Sequence, residues 1–183
     1  MSQLDFTETH RQTLVELARK SIETFTKTGK IFDYESSDPV LNQALGVFVT
    51  LRIGEALRGC IGQMWADTPL YQTVKETAIS AATRDPRFPP VSDVELDQLE
   101  IKISILSPLD PVEDVNEIEV GKHGLMIVYA GRRGVLLPQV PVDRDWDRIT
   151  FLENLCLKAG LPPGSWKENI ELYSFTTKDF GEG

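Results

Sequence analysis

Cys60 is the residue best suited to covalent chemistry in this chain, and its neighbours are unusual. It stands in the run Leu57-Arg58-Gly59-Cys60-Ile61-Gly62, followed by Gln63. The run alternates like a strand, which places Arg58, Cys60 and Gly62 on one face and Leu57, Gly59 and Ile61 on the other, unless a bulge intervenes. An arginine on the same face favours the nucleophilic thiolate form of a cysteine. Gly59 and Gly62 weaken a strand, so they mark a bulge or a close approach by a ligand or another strand. The competing reading is a small buried cysteine among glycines that allow tight packing.

Three further segments stand apart from plain scaffold. Arg84-Asp85-Pro86-Arg87-Phe88-Pro89-Pro90 is a stiff loop. Its arginines can pair with Asp85 or present a fork to a carboxylate or phosphate, and Phe88 is expected to anchor the loop in the core. Gly121-Lys122-His123-Gly124 holds the histidine best placed to act as a base, acid or ligand. As a structural turn, His123 would instead tolerate an unusual backbone angle and bond a neighbouring carbonyl. Leu136-Leu137-Pro138-Gln139-Val140-Pro141, with Trp146 following, is the last. The only other histidine, His10, falls early in a terminal helix and is expected to be exposed. Two histidines and two cysteines exclude a three-histidine metal site and a four-cysteine zinc site within one chain. GxGxxG, P-loop, HExxH, CxxC and GxSxG patterns are absent.

The elements that must position these residues follow from periodicity. Residues 8–28 carry an apolar stripe of Leu14, Leu17, Ala18, Ile22 and Phe25, with Thr7 as cap and Gly29 as stop. LGVFVTLRI and ALRGCIGQM read as a hairpin. A helix opens at Thr68-Pro69, buries Leu70, Val74, Ala78 and Ala81, and stops by Asp85-Pro86. LEIKISIL alternates as a half-buried strand. LMIVYA and GVLLP form a second hairpin joined by GRRG. Thr150 and Glu153 form a capping box for a helix through Ala159, where Cys156 is core. IELYSF is the final strand. The order hairpin, helix, loop, strand thus occurs twice, over about 45–105 and 125–176. This predicts an α+β fold built from a duplicated β-β-α-β unit. One strongly curved, barrel-like, mainly antiparallel sheet would carry helices outside it, within a single domain spanning 1–183. The segment after each hairpin would then meet its counterpart across a pseudo-two-fold, forming a cleft lined by Cys60, Gln63 and Gln139.

With 183 residues and 41% hydrophobic content, the chain can build a real core. Its formal charge is −9, which opposes non-specific binding to nucleic acid or anionic membrane. Residues 93–119 hold nine acids against one base, Lys102, and so carry most of that charge. The reading is a solvated surface, with an acidic docking face as the lesser alternative. The N-terminus has no basic or apolar region of a signal peptide, and no run approaches the roughly 20 apolar residues of a membrane span. A cytoplasmic protein is expected.

LRGCIG, DPRFPP, LEIKISILSP, EVGKHGL, LLPQVP, the WDRITFLENLCLKAGL run, Trp166 and the closing ELYSF together resemble the AMMECR-type domain family. They are most similar to its prokaryotic branch, AmmeMemoRadiSam system protein A, in order from about Leu4 to Phe180. The resemblance implies a fold of two repeated units sharing one barrel-like sheet. It also implies partners, a Memo-type protein and a radical S-adenosylmethionine enzyme, rather than a defined reaction. It brings suspicion of function to Leu57 through Gly62.

Two functions compete. A binding module needs no base and no metal. Arg58, Gly59, Gly62, Gln63, Asp85, Arg87 and Gln139 would shape its cleft for a partner's tail or an anionic ligand, with no cofactor. A cysteine enzyme would use Cys60 as nucleophile, His123 as base, and backbone N–H groups near Gly59 and Gly62 as oxyanion donors. Metal binding by Cys60 and His123 with Asp85 or water is weaker, because so few mixed ligands make a poor site.

Overall fold

Thr7 opens the first helix by accepting from the His10 N–H, while the His10 ring returns the bond to the Thr7 N–H. The computed structural model, which describes residues 5–182, places this helix, α1, at Glu8–Thr28, closed by Gly29 at φ 72°. Leu4, where the family resemblance begins, lies outside the described residues. His10 is not the exposed residue expected. Its Nε2 lies 2.9 Å from Asp38, and its side chain is only 15% exposed.

The chain forms two compact units. One runs to Leu106 and takes up the C-terminal segment from Lys178; the other spans Ser107–Thr177. In the first, β1 (Val47–Ile53) lies between β2 (Ala56–Gln63) and β3 (Leu99–Leu106), and β8 (Thr177–Gly181) adds beyond β3. The pairs β1–β2 and β1–β3 are antiparallel. Helix α2 (Leu70–Thr83) packs on β1 and β2, with α1 against α2. Alternation explains the core. Val47, Val49 and Leu51 of β1 join Leu99, Ile101, Ile103 and Ile105 of β3 beneath Leu70, Val74 and Ala78 of α2. The opposite face of the same strands carries Thr50, Arg52, Glu100 and Lys102.

In the second unit, β5 (Gly124–Tyr129) lies between β6 (Arg132–Leu136) and β7 (Glu171–Phe175), and the two-residue β4 (Asp110–Pro111) pairs with β7. Helices α3 (Gln139–Asp143) and α4 (Arg148–Lys158) follow β6. Leu125, Ile127, Phe151, Leu152, Leu155 and Cys156 form its core. Burial pushes the Cys156 thiol up, as suits a packed cysteine.

The α+β class and antiparallel pairing hold. The single shared barrel-like sheet does not: two four-stranded sheets form, and among the described residues neither is closed. The two hairpin units share a wiring, since β1 and β5 are each flanked by their hairpin partner and by the strand after the helix. Local differences have local causes. The second hairpin turns at Ala130-Gly131, φ 48° and 78°, so Tyr129 pairs directly with Arg132 and both arginines of GRRG belong to β6. The cap of α4 is Asp147, which accepts from the Thr150 N–H, rather than Thr150 itself. The strand β8 has too few apolar residues to be read by alternation. It is held by β3, and by Glu182, which pairs with Arg19 and accepts from the Ile101 N–H.

Candidate functional site

The edge strand β2 is where the first unit departs from regular geometry. Its register against β1 shifts between Leu51–Gly59 and Arg52–Leu57, leaving Arg58 unpaired as a bulge. Past the bulge, Cys60 lies opposite Thr50, and Gly62 opposite Phe48. The Cys60 N–H points away from β1 to Asp85 Oδ2 at 2.9 Å. Thr50 and Cys60 therefore form the close, non-hydrogen-bonded kind of antiparallel pair, and Thr50 Oγ1 meets Cys60 Sγ at 3.4 Å.

The glycines answer to packing on both faces. A Cβ on Gly59 would collide with the Ala81 carbonyl of α2, and one on Gly62 with the Phe48 ring. The close approaches are thus by a helix backbone and an aromatic ring. Gln63 is on the α2 side, its Nε2 3.5 Å from Thr77 Oγ1, and does not share the face of Cys60.

Asp85 is the organising group. Its side chain is 3% exposed, and its two oxygens accept four hydrogen bonds. Oδ1 takes the Arg87 N–H and Nε at 3.1 and 3.0 Å; Oδ2 takes Arg87 Nη2 at 2.7 Å and the Cys60 N–H. Those donors hold its carboxyl well below the usual carboxylate range, the Arg87 guanidinium foremost. With every lone pair engaged, Asp85 has no oxygen left for a metal or ligand, so its part is to position Arg87 and the Cys60 backbone. Arg87 stays 55% exposed. Its pKa is raised chiefly by the Asp85 hydrogen bond. Arg87, tied through Asp85 to the Cys60 N–H, is therefore the cation coupled to the Cys60 backbone, while the expected Arg58 is engaged elsewhere.

Arg58 turns to a second clamp. Its Nε and Nη2 donate to Glu95 at 2.8 and 3.1 Å, and Nη2 also reaches the Pro90 carbonyl. Glu95 also accepts from the Ser92 N–H and hydroxyl, and the Arg58 guanidinium foremost, with these Ser92 donors, lowers its carboxyl pKa to about 2. Phe88 is not a core anchor. Its ring is within cation–π distance of the guanidinium groups of both Arg58 and Arg87, 5.9 and 5.5 Å from the centroid. The Ser92-x-x-Glu95 spacing was a legible capping box, and it is the signal that would have found Glu95.

His123 and Gln139 belong to the second unit. His123 Nδ1 accepts from the Glu119 N–H at 3.0 Å, and the His123 N–H returns to the Glu119 carbonyl. The positive φ of this turn falls on Gly121, at 93°, not on His123. Burial is the leading cause that lowers the His123 pKa, with Lys122 adding to it. A neutral ring whose Nδ1 accepts carries its proton on Nε2, so His123 presents a donor. Gln139 is the first residue of α3 and is half-buried. Among the described residues, no group of three or more His, Cys, Asp or Glu could hold a metal ion.

The AMMECR1 family profile matches residues 15–180. The chain belongs to the AMMECR1 family. It is 42% identical to a protein of Methanosarcina mazei, over 96% of this chain and 93% of that one. It is 44% identical to protein MK0488 of Methanopyrus kandleri, over 92% and 86% respectively. The crystal structure of the uncharacterized protein PH0010 from Pyrococcus horikoshii superposes with a TM-score of 0.88 at 40% identity, covering 94% of this chain and 91% of that one. Among the described residues of this AMMECR1 protein, no helix is long and apolar enough to cross a membrane.

Proposed function

We propose that this AMMECR1 protein is a binding component that works beside a Memo-type protein and a radical S-adenosylmethionine enzyme, and that its recognition site is the β2 edge around Cys60. One observation carries the reading. A buried carboxylate, Asp85, fixes an exposed guanidinium and the Cys60 backbone in one arrangement. Preorganisation of that kind lowers the ordering cost of binding an anionic ligand or a partner's tail. Arg87 is the anion contact, Asp85 its positioning residue, and Arg58 with Glu95 and Phe88 holds the loop behind it. Gly59 and Gly62 serve by letting α2 and Phe48 pack closely.

The test is retention of the two partner proteins by this chain at micromolar concentration, repeated with Arg87→Gln. Retention that weakens in the variant supports the reading; no retention of either partner by the wild-type chain contradicts it.

A cysteine-dependent enzyme is the second reading, favoured by the Asp85 bridge that holds the Arg87 guanidinium and the Cys60 N–H in one arrangement. Its base would be His123, within about 3–4 Å of Cys60 Sγ. The Glu119 bond opposes that role, because the free Nε2 carries the proton. If the His123→Ala variant alkylates at Cys60 as fast as wild type, this base assignment fails.

A further inference from the structure

Each sheet has two outer strands among the described residues. An unpaired outer strand is a template for another chain unless charge, proline or brevity blunts it. Three of the four are blunted. β8 carries Lys178 and Asp179, β6 opens with Arg132 and Arg133, and β4 is two residues long and holds Pro111. β2 is the exception. From Gly59 to Gln63 it has no charged side chain and no proline, and it is only half-buried from Cys60 to Gly62. Arg58, the strand's one charged residue, is folded back onto Glu95.

The backbone of this stretch faces outward in a defined way. Cys60 sits in a non-hydrogen-bonded pair with Thr50, so its N–H and C=O are directed away from β1. The strand period gives Gly62, opposite Phe48, the same orientation. Asp85 Oδ2 already takes the Cys60 N–H, at 2.9 Å, and accepts there as the carbonyl of an added strand would. The Cys60 C=O and the Gly62 N–H and C=O make no turn, loop or side-chain hydrogen bond among the described residues. These successive ladder groups are therefore open, and the row they form ends at the Asp85–Arg87 clamp.

Charge selects the segment that fits. Arg87 stays 55% exposed, one carboxylate away from the row. Arg84, one residue before Asp85, is exposed and makes no ion pair among the described residues. The acids at this edge are engaged, Asp85 by Arg87 and Cys60, Glu95 by Arg58 and Ser92. A second copy pairing through the same edge would bring the same arginines and no free carboxylate. We infer that β2 takes up an extended, acidic segment of another protein as an added strand, pairing at Cys60 and Gly62 and setting a carboxylate on Arg87. The inference rests on the reading of the Cys60 edge as the recognition site and adds its mode of recognition.

The experiment uses the full chain and a capped peptide of alternating Thr and Val ending in Asp-Glu, read by NMR at the Gly62 amide. In the free protein this amide should exchange faster than that of Ile61, which is bonded to Val49 in the ladder. The peptide at millimolar concentration should shift and protect it saturably. N-methylation of the peptide's Thr and Val residues should abolish the effect, because it removes the backbone donors and leaves the carboxylates. Arg87→Gln should weaken binding about fivefold, and exchanging Asp-Glu for Asn-Gln should do the same in wild type and nothing further in the variant. An N-methylated peptide that binds as well as its parent overturns strand addition but leaves Arg87 as an anion contact, so the recognition-site reading survives. Binding indifferent to both Arg87→Gln and the Asn-Gln exchange overturns the acidic segment, and with it the anion contact of that reading. A Gly62 amide protected in the free protein and released on dilution identifies a second copy as the occupant and overturns the inference. So does the absence of any saturable change with the parent peptide.

Discussion

The outer hairpin strands β2 and β6 occupy the same place in their units and are finished in opposite ways. Both carry a glycine where a helix backbone comes too close for a side chain: Gly59 beneath Ala81 of α2, and Gly134 beneath Leu155 and Ala159 of α4. Beyond that they diverge. β6 pairs with β5 in unbroken register, and its Arg132 reaches out to the Gly160 carbonyl after the helix at 2.6 Å. β2 is bulged, and the loop after its helix reaches in, setting a buried carboxylate on the strand backbone. In one unit a side chain of the strand ties down a loop; in the other a loop side chain ties down the strand and orients a cation. The wiring that both units share is therefore scaffold. Among the described residues the Asp85–Arg87 clamp belongs to the β2 edge, and that asymmetry is what supports the proposed site there.

The comparison breaks or holds first at the glycines. Gly59→Ala should cost about 3 kcal/mol in urea unfolding, since the obstacle is a helix carbonyl that cannot swing aside. Gly134→Ala, whose nearest contacts stand at 2.8 and 2.9 Å, should cost less, about 1–2 kcal/mol. A negligible loss at either position would remove the shared packing constraint.

Asp85→Asn sharpens the difference between the edges. It leaves the Cys60 N–H and Arg87 with a poorer acceptor and should cost about 1–3 kcal/mol, whereas Arg132→Ala on the other edge should cost about 0.5–1 kcal/mol. Acid unfolding adds a sign. Asp85 and Glu95 both titrate lower in the folded chain than unfolded. Their contribution is complete above about pH 5 and is lost as pH falls through the folded values. Wild type should therefore weaken steeply below about pH 5, Asp85→Asn less steeply, and Arg132→Ala no less steeply than wild type.

The smallest effect belongs to the second unit. His123 is held neutral, so its contribution is present above its unfolded value near 6.5 and is lost as pH falls through the lower folded value. Nitrogen NMR should find the Nε2–H tautomer at pH 7 and a midpoint below 6.5. A midpoint above 6.5 would contradict the turn geometry.

Most of the scaffold was legible because periodicity and caps are local. Thr7, Gly29 and the stripe from Leu14 to Ile22 define α1 without reference to the rest of the chain. Closure of the sheets was not legible. It depends on which partner β3 takes on its far side, and that partner is β8, a polar strand held by Glu182 and backbone bonds. The site was legible by residue type more than by role. Cys60, Asp85 and Arg87 stand out in the sequence, yet a bulge at Arg58 redirects that arginine to Glu95 and leaves Arg87 as the cation that Asp85 ties to the Cys60 backbone. Bulges and loop returns are decided by tertiary packing, so alternation alone could not assign the cation.

The most direct test of the account is labelling of Cys60 by iodoacetamide in folded Cys156→Ala protein, with unfolding followed on the same sample. The account predicts one label per chain while the protein remains folded, and a changed rate in Asp85→Asn as the edge loses its clamp. Cys60 that stays unlabelled until the chain unfolds would contradict it and leave the segment from Leu57 to Gly62 as packing alone.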